Sequence, residues 1–125
     1  MTSIQLKKCT RDEIEVLREQ INAFIQQRAE TQISKGKGNF DFYVSCILID
    51  ILRRLSTKLR NKIELSFKNC ISVRMTVFEA TALLIVCHWE IAFLSAYQKN
   101  VLLKTRNSID QQLTKIGRAS CKERV

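Results

Sequence analysis

The single histidine, His88, stands beside Cys87 in the run TVFEATALLIVCHWEIAFLSAY. Adjacent positions on a helix point to different faces, so the two cannot form a thiolate–imidazole pair, and an inert buried thiol beside a core or boundary histidine is the simpler account. With one histidine and five scattered cysteines that form no C-x-x-C pair, neither a metal ligand set nor a disulfide framework is expected. The carboxylates that sit in apolar surroundings are Asp50, Glu79 and Glu90. Glu79 is spoken for by a helix cap, and the other two are expected at the surface or paired with arginine. No phosphate-loop, dinucleotide, G-x-S-x-G or H-E-x-x-H pattern is present, and Gly36-Lys37-Gly38 lacks the spacing of a phosphate loop. The chain therefore reads as a non-enzyme without a metal or cofactor.

Charge is the feature that departs from an ordinary composition. The formal net charge is +9 over 125 residues, and it is unevenly spread. Residues 36–75 carry eight Lys/Arg against three Asp/Glu, whereas residues 1–35 carry six against five and residues 76–115 four against three. Arg53, Arg54, Lys58 and Arg60 fall opposite the leucine positions of one helix, and Lys68 and Arg74 follow close behind. A clustered basic face is the electrostatic footprint of phosphate binding, so Arg53, Arg54, Lys58, Arg60 and Lys68 are the expected nucleic-acid contacts. A plain solvated face explains the same residues without any ligand, since no aromatic platform interleaves the cations and no helix-turn-helix spacing is visible. The other functional class is a helical interaction or assembly module, pairing its first or last amphipathic helix with a protein partner or a second copy.

The elements that position these residues follow from caps and periodicity. Thr10 and Glu13 form a capping box, and Ile14, Leu17, Ile21 and Phe24 recur at three- and four-residue steps, which predicts an amphipathic helix over about Thr10–Gln32. Its stripe suits either the domain core or a short coiled-coil contact. A glycine-containing loop over Ser34–Asn39 separates it from a second helix over about Phe40–Asn61, with Val44, Leu48, Leu52, Leu55 and Leu59 inward. Alternation then takes over. Ile63, Leu65 and Phe67, then Ile71, Val73 and Met75, predict a β-hairpin over 62–75 turning at Lys68–Cys70. Thr76 and Glu79 form a second capping box and open a central buried helix over 76–97, apolar on nearly all sides. A bend at Gln98–Asn100 and a last helix to about Lys115 complete a single domain over 1–115, unless 76–115 is one helix.

The expected class is mainly helical α+β, three or four helices around a central helix with a small hairpin; the alternative is an all-α bundle. No proline and three glycines favour helices over a many-stranded sheet. Reduced cysteines and the lack of a secretory pattern suggest a cytoplasmic protein, and no apolar run is long enough to span a membrane. Residues 116–125, IGRASCKERV, are unlike the rest. They resemble a reading frame through a sequencing adapter, in which ATC-GGA-AGA-GCG-TCG encodes Ile-Gly-Arg-Ala-Ser, and depart from it at Lys122. The segment is accordingly expected to be a non-native or disordered tail.

Overall fold

The computed structural model describes residues 3–35, 40–65, 70–89 and 94–123. Six elements follow one another: β1 (Ile4–Cys9), α1 (Arg11–Lys35), α2 (Phe40–Leu65), β2 (Ile71–Met75), α3 (Val77–His88) and α4 (Ala96–Glu123). Four helices and a two-stranded antiparallel sheet make a mainly helical α+β fold.

The sheet is built differently from the expected hairpin over 62–75. Only its second half is a strand, and β2 pairs with the chain's N-terminal segment, with Ile4 opposite Met75, Leu6 opposite Val73 and Cys9 opposite Ile71. Ile63 and Leu65 belong to α2, and residues 66–69 lie outside the described region. Two periods compete at this point: Leu55, Leu59 and Ile63 continue a four-residue helical step as well as Ile63, Leu65 and Phe67 make a two-residue one. The helix prevails because Ile63 packs against the core from α2, while Leu65 is left 79% exposed. Between Leu6 and Cys9 the ladder is irregular, and Lys8 takes a left-handed conformation with φ 55°, which one class of β-bulge uses.

Gln112 of α4 completes the sheet. Its side-chain carbonyl accepts from the Gln5 backbone N–H at 2.9 Å and its amide donates to the Gln5 carbonyl at 2.8 Å. The outer edge of β1 is thus closed by a side chain that imitates a neighbouring strand. Because Gln5 directs both backbone groups away from the sheet, its partner Arg74 directs its own toward the opposite, open edge of β2.

All four helices and both strands contribute to one core. Ile14, Leu17, Ile21 and Phe24 of α1 are buried, as their spacing predicts, and so are Leu48, Leu52, Leu55 and Leu59 of α2. Val44 is an exception: it is exposed, and Ser45 takes the inward position. The Thr10–Glu13 and Thr76–Glu79 capping boxes both form, with each Thr Oγ1 accepting from the glutamate N–H at 3.2 Å.

The central helix is shorter than 76–97. α3 stops at His88, with Trp89 as its C-cap in extended conformation, and residues 90–93 lie outside the described region. Nor is α3 enclosed on all sides: Ala80, Leu83 and Val86 are buried, while Phe78 and Ile85 are exposed. The break expected at Gln98–Asn100 falls instead before Ala96, where Ser95 and Gln98 form a third capping box with reciprocal hydrogen bonds of 2.9 and 3.2 Å. Gln98–Asn100 are thereby inside α4, which continues through the segment expected as a tail to Glu123. Ile116 is half-buried against the core.

Candidate nucleic-acid interface

The expected basic cluster divides between two flanks of α2. At about 100° per residue, Arg53 and Arg60 lie roughly 20° apart, whereas Arg54 and Lys58 lie on a different flank about 100° or more away. The packing partners agree. Ser56 donates to the Asn22 side chain of α1 at 3.1 Å, which puts α1 beside the Arg53–Arg60 flank, while Lys58 reaches Glu79 of α3 at 3.3 Å. The four cations therefore stand along two flanks of α2. Arg74 is exposed on the outer face of the sheet, and Lys68 lies outside the described region.

On the Arg54–Lys58 flank the cations line an open groove of about 700 Å³ between α2 and the start of β2. Arg54, Lys58 and Lys62 form one wall at successive four-residue steps, and Cys70–Ser72 at the start of β2 form the other. Lys62 was not among the expected contacts, because the hairpin reading placed it at the start of a strand. As a helical residue it stands one turn beyond Lys58 on the same flank.

Each cation is held differently. Glu79 Oε1 accepts from the Thr76 N–H at 3.0 Å and from Lys58 Nζ at 3.3 Å, so the α3 capping box also holds the Lys58 ammonium. Arg54 pairs with Asp50 at 3.3 Å in solvent, and on the far flank Arg60 pairs with Glu64 at 3.7 Å. Exposed pairs of this kind contribute about 0–1 kcal/mol, little enough for an incoming phosphate to replace the carboxylate. Among the described residues Lys62 has no acidic partner.

The groups first singled out for chemistry are dispersed. His88 is exposed, and Cys87 is buried with its thiol pushed up to about 12, chiefly by burial, with Arg106 opposing. Asp50 and Glu79 are occupied by Arg54 and Lys58, and Glu90 lies outside the described region. Among the described residues no cluster of His, Cys, Asp or Glu could hold a metal ion, and no helix is long and apolar enough to cross a membrane. Comparison with known protein families, with curated proteins and with solved structures finds no match, and the groove is read from its own geometry.

Proposed function

We propose that this chain is a small basic accessory protein that binds nucleic acid by its phosphate backbone, along Arg54, Lys58 and Lys62. The supporting observation is the row itself: three cations one helical turn apart on one wall of an open groove. Successive members are separated by about 6 Å along the helix axis, which suits contacts to neighbouring phosphates of one strand. Contacts of this type position a protein on a nucleic acid without reading bases, so binding is expected to be largely indifferent to sequence. The test compares two sets of substitutions at low salt. Arg54→Gln with Lys58→Gln and Lys62→Gln should weaken binding of random-sequence DNA and RNA strongly. Arg53→Gln with Arg60→Gln, on the other flank, should weaken it little. Equal losses per charge removed would mean that diffuse net charge, and not the groove, attracts the ligand.

A second reading, a helical interaction or assembly module, draws on a different surface from the one expected. The apolar stripe of α1 is consumed by the core, but Phe40, Tyr43, Val44 and Ile47 on α2 are exposed. Concentration-dependent self-association, abolished by Ile47→Lys, would favour this reading.

A further inference from the structure

The basic groove does not end at Arg54. Arg54 also borders a second groove of about 510 Å³ between α2 and α3, whose walls include Ile47, Ile51 and Phe78. Phe78, the second residue of α3, is 76% exposed, and Ile47 across from it 63%. Single exposed apolar residues are ordinary on any protein. Here, however, an aromatic ring and an aliphatic shelf face one cleft, and a row of three cations leads directly into it. A cationic track that continues into an open aromatic platform is the arrangement by which proteins hold single strands, with phosphates on the cations and bases stacked on the ring. A duplex keeps its base faces covered and could use only the cations.

We infer that the ligand of this groove is single-stranded nucleic acid, with Phe78 as the stacking platform for a base and Arg54, Lys58 and Lys62 as the backbone track. The inference rests on the phosphate-binding reading above and adds the class of ligand. Arg54 stands where the two grooves meet, so its planar guanidinium is placed to serve either a phosphate or the face of a base.

The test measures anisotropy of labelled oligo(dT), an abasic strand of equal length, a duplex and poly-glutamate, against wild type and Phe78→Ala. Phe78 is exposed, so the variant should keep the wild-type circular dichroism and melting curve. Oligo(dT) should bind wild type more tightly than the other three, and Phe78→Ala should weaken it roughly 5- to 150-fold, the loss of one base stack. The abasic strand should bind both proteins alike. A Phe78→Trp variant should lose emission on adding oligo(dT) and not on adding the abasic strand. If abasic strand and duplex bind as well as oligo(dT), and Phe78→Ala changes nothing, the single-strand inference is overturned while the basic groove stands. Should poly-glutamate match oligo(dT), with Phe78→Ala weakening both, the occupant is an acidic peptide and the inference is again overturned. If nothing binds at low salt, the groove reading itself fails, and this inference with it.

Discussion

Replacing Gln112 with alanine removes both hydrogen bonds that close the outer edge of β1, to the Gln5 N–H at 2.9 Å and the Gln5 carbonyl at 2.8 Å. Each is worth about 1 kcal/mol net, and the backbone groups left behind are partly shielded from water, which adds to the loss. The expected destabilisation is about 1–3 kcal/mol, a substantial part of the roughly 5–15 kcal/mol available to a domain. At this chain length that corresponds to a fall in Tm of roughly 4–12 °C. Urea denaturation would give the free energy, and amide hydrogen exchange would locate it. In the wild type the Gln5 amide should be protected although it lies at a strand edge; in Gln112→Ala it should exchange quickly, while the Leu6 amide, which faces β2, stays protected. An unchanged denaturation midpoint together with unchanged Gln5 exchange would show that α4 does not close the sheet.

Other consequences concern the helix end, the ion pairs and the thiols. Gly117 sits within α4 with nothing inside 4 Å of where a Cβ would be, so Gly117→Ala should stabilise the protein by about 0.5–1 kcal/mol; no change in the urea midpoint would mean that the helix does not extend this far. The pKa of Glu13 is lowered: burial alone would raise it, but the hydrogen bond and charge of Lys104 and the bonds from Thr10 outweigh burial. A carboxylate with a lowered folded-state pKa stabilises above its unfolded value of about 4.3 and loses that contribution as pH falls through the folded one. Lys104→Gln should therefore flatten the decline in stability as pH falls below the unfolded value of about 4.3, and an unaltered acid limb would show that this pair does not contribute. Burial raises the pKa of the Cys9 and Cys87 thiols, whereas Cys46 and Cys70 are exposed. Peptide mapping after brief alkylation at about pH 8 should find Cys46 and Cys70 modified and Cys9 and Cys87 spared, since the thiolate is the reacting form.

Local signals in the sequence were good guides to where helices begin and which faces they bury. Two capping boxes and the steps from Ile14 to Phe24 and from Leu48 to Leu59 appear in the structure as read, because the bonds and contacts they specify are made within a few turns. A third box, Ser95 with Gln98, is equally visible in the sequence but lies inside the apolar run that continues to Tyr97. The sheet was not legible in the same way. β1 and β2 are some 65 residues apart, and nothing near Ile71 reveals that Leu6 will lie across from Val73. The alternation after Leu59 offered a nearer but false partner. Lys62 as a strand residue would not share the four-residue step that, on one helix, links Arg54, Lys58 and Lys62. The angular separation of Arg53 and Arg60 from Arg54 and Lys58 follows from the helical step itself, whereas the packing of α1 and α3 beside different flanks of α2 does not.

In the proposed function a row of three cations, and not net charge at large, holds a phosphate backbone. The most direct measurement is the slope of log affinity against log salt for random-sequence duplex DNA, with wild type beside the Arg54→Gln/Lys58→Gln/Lys62→Gln protein. Each phosphate contact contributes roughly 0.9 to that slope, so the triple variant should be flatter by about 2–3, with its melting curve intact. A wild type that binds no DNA at low salt, or a triple variant that matches it in both affinity and slope, would contradict the claim.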